Sequence, residues 1–280
     1  MKSLFGIEYG RGATAKLVDG GPALAPVAVQ KMFPDAKWTI VSADACDTEL
    51  WNNDRFGENF LIQRKIYAQT PSASHVLIGG DHSVNFGHFA ALADRIQDQD
   101  LCLIYIDAHL DIHSPESSRA QASGAPHGTN VRALLGTGDQ RWLGLQSRVP
   151  ALRPENVFYL GTRSYEPAEI ECVNQNNIFM RTPLDLDTPE KVDAVIGEVI
   201  RQIDDRPYVV SFDFDAIDAD VFKSVLVPEP DGLSLDTARQ LVHAFAPDAH
   251  SFEFVEYAPR DDDEQSAQIV RELVGIALAD

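Results

Sequence analysis

The segment Ile106-Asp107-Ala108-His109-Leu110-Asp111 constrains this chain more than any other, because it sets three hard metal ligands within five residues directly after an apolar run. Leu101 to Ile106 reads as a strand buried on both faces, as in a parallel sheet. If the backbone stays extended through the ligands, residues two apart point to one side, and Asp107, His109 and Asp111 converge. A second acidic cluster, Ser211-Phe212-Asp213-Phe214-Asp215-Ala216-Ile217-Asp218, again follows an apolar strand, Tyr208-Val209-Val210. A third piece, Gly79-Gly80-Asp81-His82-Ser83, follows Val76-Leu77-Ile78, and its glycines permit a tight turn into the next helix. Burying so many carboxylates without counter-cations is very costly, so two divalent ions are expected.

Strand-like runs recur at Leu4–Glu8, Thr39–Ser42, Val76–Gly79, Leu101–Asp107, Val157–Gly161, Ile178–Arg181, Val209–Asp215 and Phe252–Tyr257. Between them lie helical patterns such as Pro26–Phe33, Glu58–Ala68, Val84–Ile96, Pro189–Gln202, Leu235–Ala246 and Ala267–Ala277. This alternation predicts a three-layer α-β-α fold with a mostly parallel central sheet of about eight strands. At 280 residues, with no linker-like stretch, the chain reads as one domain over 1–280. The polar, turn-rich segments His113–Pro126 and Val221–Asp231 each follow an acidic strand. Ligands in such sheets bind outside the strands' carboxyl ends, so these segments are expected to wall the pocket.

The net charge of −20 argues against a nucleic-acid or anionic-membrane partner, since both are polyanions. Cys46, Cys102 and Cys172 form neither a zinc nor a disulfide pattern, which fits a reducing cytoplasm. No apolar segment approaches the length of a membrane span and no leader pattern opens the chain, so a soluble, unexported, cytoplasmic protein is expected.

Taken together, Gly-Gly-Asp-His-Ser at 79–83, Asp-Ala-His-Leu-Asp at 107–111 and Ser-Phe-Asp-Phe-Asp-Ala-Ile-Asp at 211–218 resemble the three signatures of the ureohydrolases, the arginase and agmatinase superfamily. Thr162–Pro167 and Glu253–Pro259 resemble later segments of the same family. The resemblance implies hydrolysis of an arginine-like guanidino compound to urea and an amine by a hydroxide that two manganese ions share. It implies one ion on His82, Asp107, Asp111 and Asp213, and a second on His109, Asp107, Asp213 and Asp215. Four carboxylates and two imidazoles suit manganese better than thiolate-seeking zinc, independently of any family. By the same resemblance Asp111 orients the nucleophile, His127 shuttles protons, and Glu256 pairs with the guanidinium. His113, Ser123 and Glu166 fall where the family holds the amino-acid end of its substrate, and homo-oligomers, trimers or hexamers, are usual.

Departures from the family pattern keep the substrate open. His113 and Ala125 replace asparagines, and the family's glycine-rich segment after Asp218 becomes Lys223-Ser224-Val225-Leu226-Val227-Pro228, then Glu229-Pro230-Asp231-Gly232-Leu233. A bulkier wall there fits a hydroxyarginine or another guanidino or formimino acid. Agmatinase, guanidinobutyrase and formimidoylglutamase activities are therefore alternatives, as is a metal-binding regulatory protein without turnover. A zinc-dependent deacetylase, a class that resembles this fold, is disfavoured by the Asp-rich ligand set.

Overall fold

A computed structural model describes residues 2–13, 21–96, 100–120 and 125–279. All eight expected strands form: β1 (Ser3–Glu8), β2 (Trp38–Ser42), β3 (His75–Ile78), β4 (Cys102–Ile106), β5 (Val157–Leu160), β6 (Phe179–Arg181), β7 (Tyr208–Asp213) and β8 (Ser251–Val255). They join in one sheet of order β2-β1-β3-β8-β7-β4-β5-β6. Every neighbouring pair is parallel.

Side chains alternate between two helical layers, as the pleat requires. Cys102, Ile104 and Ile106 of β4 point to one face, where they meet residues from the helices Ala25–Met32, Pro189–Ile203, Leu235–Phe245 and Glu264–Leu278. Leu103 and Tyr105 point to the other, toward the helices Arg55–Gln69, Val84–Arg95 and Pro167–Gln175. The helix Pro189–Ile203 shows how sequence sets these elements. Thr188 caps it by accepting from Lys191 N, proline fills its first position, and Val192, Val195, Val199 and Ile203 form its buried stripe. Among the described residues, no helix is long and apolar enough to cross a membrane.

Short helices at Thr48–Asn53, Pro115–Ala120, Asn130–Leu134 and Gln140–Leu143 were not evident from periodicity, because one or two turns cannot display a repeat. One of them turns part of the expected irregular segment 113–126 into helix. The strand ends also differ from expectation. β4 stops at Ile106, β7 at Asp213 and β8 at Val255, so Asp107, Asp215 and Glu256 lie beyond or at the end of their strands rather than within them.

Sheet order explains where a ligand belongs. After β4 the chain moves outward to β5, whereas after β7 it moves the opposite way to β8. Right-handed crossovers then send the two connections to opposite faces, opening a crevice between β4 and β7 at their carboxyl ends.

Across β3, β8 and the helix Val84–Arg95 runs a fully buried polar chain. His75 Nδ1 lies 2.9 Å from the Ala73 carbonyl and must donate to it, and His75 Nε2 lies 2.8 Å from His88 Nε2. Burial, then His88, pushes the His75 pKa down to about 3, so His75 is neutral and accepts from His88. His88 Nδ1 closes on Glu253, whose other oxygen accepts from Asn85 Nδ2 at 2.7 Å. Removing one member strands the rest in an apolar interior. We expect Glu253→Leu to cost about 3–5 kcal/mol in urea unfolding; a loss under about 1 kcal/mol would show that the chain is not a coupled unit.

Candidate metal centre

The loops that leave β3, β4, β7 and β8 build the site. After β3 the backbone turns sharply under β1: Asp81 N donates to the Tyr9 carbonyl at 2.9 Å, and a Cβ on Gly80 would stand 1.5 Å from that oxygen. Only glycine permits this approach. The turn delivers His82, whose backbone N donates to Glu256 Oε1 at 2.8 Å. His82 stacks on Tyr105 with ring centroids 4.4 Å apart.

Asp107, His109 and Asp111 do converge, though not by strand alternation. The strand has ended, and the turn is held by His109 N donating to Asp107 Oδ1 at 2.6 Å and by Asp111 adopting a left-handed φ of 48°. Tyr105 Oη and Asn130 Nδ2 donate to Asp111 Oδ2 at 2.9 and 3.1 Å. Asp215, in the turn after β7, accepts from Ala108 N at 3.2 Å and so ties the second acidic loop to the first.

Two ligand sets result. His82, Asp107 and Asp111 present donor atoms within 4.8 Å of one another, as do Asp107, His109 and Asp215. Asp213 Oδ2 lies 3.0 Å from His82 Nδ1, which places it against the first set. Asp107 belongs to both. Its Oδ2 is buried and accepts no hydrogen bond, although His82 Nδ1 is only 2.9 Å away. An orphaned buried carboxylate oxygen facing a ring nitrogen is what a shared cation would satisfy. The residues therefore fit a pair of divalent ions.

The charged groups of the centre perturb one another strongly. Burial, then Asp215 and Asp107, raises the Asp213 carboxyl well above its usual range. Burial, then Asp81, does the same to Glu256. Burial alone would lower the His82 pKa, but Asp107 and Asp213 beside it raise it well above normal. Burial would raise Asp215, yet the adjacent His109 holds it below normal.

A cavity of about 350 Å³ opens over these residues. His127 and Glu256 line it as expected, together with Leu226 and Val227 from the altered loop. His127 Nδ1 lies 3.0 Å from the Gly12 carbonyl, which leaves its other nitrogen to act elsewhere. Glu256 sits one residue past β8 with a left-handed φ of 62°, so its carboxylate is aimed by backbone conformation rather than by strand pleat. At the far wall His113 Nε2 contacts Glu166 and lies 3.5 Å from Glu169 Oε2. Ser123 lies outside the described residues.

Sequence reasoning missed several residues around the centre. Glu169 completes a capping box with Glu166 at the start of Pro167–Gln175, a pattern the Glu-Pro-x-Glu spacing announces. Tyr105 and Asn130 carried no local signal, because each serves Asp111 from another element. Glu229 reaches His109 from the altered loop.

Comparison with known proteins gives three findings. The sequence model of the Arginase family matches residues 15–279. An arginase of Eremothecium gossypii is 33% identical over 163 residues, covering 57% of this chain and 40% of that protein. The chain spans about half the length of the curated relatives it matches. Among solved structures, arginase from Bacillus cereus superposes with a TM-score of 0.84 at 21% identity, covering 100% of this chain and 99% of that one. Formimidoylglutamase from Bacillus subtilis superposes with a TM-score of 0.78 at 19% identity, covering 99% and 86%. At such identities the two structures show the fold alone.

Binding of a divalent cation at this site should be legible in stability. Carboxyls whose folded pKa is raised stabilise the metal-free fold below the unfolded value, about 4, and that contribution is lost as pH rises. The raised Asp213 and Glu256 should therefore withdraw stability from the metal-stripped protein as pH rises above about 4, against the opposite contribution of the lowered Asp215. At pH 7.5 a divalent cation at 100 times its Kd should restore about 2.7 kcal/mol. Thermal unfolding with and without a chelator measures both, and a chelator-insensitive melting temperature at pH 7.5 would contradict the reading.

Proposed function

Because the chain belongs to the arginase family, we propose that it hydrolyses a guanidino C–N bond with two manganese ions, releasing urea and an amine. The orphaned oxygen of Asp107, shared between two ligand sets, is the observation that carries this reading. His82, Asp107, Asp111 and Asp213 would hold one ion, and His109, Asp107, Asp213 and Asp215 the other. When bound, such a pair lowers the pKa of a shared water toward neutrality and so supplies a nucleophile.

The protein's own groups do the rest. Asp111, its carboxylate oriented by Tyr105 and Asn130, directs the nucleophile from the cluster edge toward the cavity. Glu256 has one oxygen committed to His82 N and keeps the other for a guanidinium N–H, a charge-assisted pairing that also fixes the substrate plane. With Nδ1 engaged by Gly12 O, His127 keeps Nε2 as the ring nitrogen that can pass a proton to the departing amine. Leu226, Val227 and Ala13 give the cavity an apolar wall.

The far wall supports an arginine-like tail: Glu166 would take an α-amine, with His113 beside it at that end. A specific observation favours a second reading. Leu226 and Val227, bulkier than the family's glycine-rich segment, border the cavity, which suits an N-substituted guanidine or a formimino acid. The one continuous sheet supports a single catalytic domain over 1–280. Net charge and family resemblance support a cytoplasmic homo-oligomer, trimeric or hexameric, without nucleic-acid or membrane partners.

The manganese-loaded protein should turn over one of L-arginine, N-hydroxy-L-arginine, agmatine, guanidinobutyrate or formimidoylglutamate, read as urea, hydroxyurea or formamide. Asp213→Ala should abolish turnover, and Glu256→Gln should lower kcat/KM by about 10- to 150-fold, the worth of one charged hydrogen bond. Two bound ions with no turnover of any of the five would sink the hydrolase reading in favour of a regulatory metal protein.

A further inference from the structure

The loop after β7 departs furthest from the family pattern, and one of its side chains reaches the candidate metal centre. Glu229 Oε1 stands 3.4 Å from His109 Nε2. The other ring nitrogen of His109 faces inward, 3.1 Å from Asp215 Oδ2 and 3.4 Å from Asp107 Oδ1. The imidazole is thus suspended between the carboxylate cluster and Glu229.

Glu229 is held in place from several sides. Ser164 Oγ donates to its Oε1 at 3.1 Å. Its carbonyl accepts from Arg163 Nη2 at 2.8 Å and from Ala219 N at 3.2 Å, while Arg163 Nε donates to the next carbonyl, of Pro230, at 2.7 Å. Pro228 and Pro230 flank it, and the second of these restricts Glu229 itself to extended backbone. His82 has a matching outer partner in Ser211 Oγ, 2.9 Å from its Nε2.

We propose that Glu229 is a positioning residue for the second cation, holding His109 in the tautomer with hydrogen on Nε2 and leaving the Nδ1 lone pair for the ion. This rests on the two-cation reading above. A metal-binding imidazole must be unprotonated at the ligating nitrogen, and its remaining N–H needs an acceptor. A carboxylate there fixes the ring and raises the basicity of the ligating nitrogen. The altered loop thereby supplies a support to the centre in addition to reshaping the cavity.

Stepwise Mn2+ binding to the full chain tests this, by titration calorimetry and by the exchange-coupled electron paramagnetic resonance signal of a manganese pair. Glu229→Val should weaken the second equivalent by about 10- to 100-fold, with the first changed by less than about twofold. The coupled signal should need correspondingly more Mn2+, and the melting temperature of the metal-free protein should stay put. Glu229→Gln keeps an acceptor oxygen and should fall between Glu229→Val and the unaltered protein. Unchanged affinity for both ions in Glu229→Val would overturn the assignment, as would equal weakening of both with a lower metal-free melting temperature. If the unaltered protein takes up fewer than two ions, the two-cation reading fails and the assignment falls with it.

Discussion

Asp107, Asp111, Asp213, Asp215 and Glu256 gather at the carboxyl ends of a parallel sheet with exposures of 0, 6, 2, 5 and 7%. Each ionised carboxylate withdrawn from water costs several kcal/mol even after relaxation, so the set cannot stand fully charged and uncompensated. Burial and neighbouring carboxylates raise the pKa of Asp213 and Glu256, and Asp107 and Asp213 raise that of His82. Divalent cations discharge the same repulsion while leaving carboxylates free to ligate. The loops after β3, β4, β7 and β8 bring these groups together.

The scaffold meets that need through topology. The reversal between β4 and β7 opens a crevice where two acidic loops face each other, and Ala108 N donating to Asp215 stitches them. Neighbouring strands add the rest: β3 brings His82, β8 brings Glu256, and the loop after β5 brings Glu166 and the Arg163 clamp. Behind them, Tyr105 serves twice, stacking on His82 with its ring and orienting Asp111 with its hydroxyl. A rigid β-strand thus sets both a ligand and its neighbour, which is how a site achieves fixed geometry before anything binds.

Much of this was legible in the chain because short apolar runs between helical patterns are distinctive, and all eight became strands. The residues of the candidate centre stood out for a related reason, since charge directly after such a run has few structural uses. Strand ends were less legible. Extended alternation suggested how Asp107, His109 and Asp111 meet, yet a turn with a left-handed Asp111 brings them together, and Glu256 likewise depends on a positive φ that no residue type announced. The buried pairing of His75, His88 and Glu253 was invisible, because its members are spread over two strands and a helix. Long-range polar partners such as Asn130 and Glu229 are hidden for the same reason: their meaning is a distance in space, not a spacing in sequence.

Crystals grown with Mn2+ and measured at the manganese absorption edge test the central claim most directly. Two anomalous peaks roughly 3.5–4 Å apart are predicted, one against His82, Asp111 and Asp213 and one against His109 and Asp215, with Asp107 touching both. A single peak, or none with the carboxylates paired to cationic side chains instead, would contradict it.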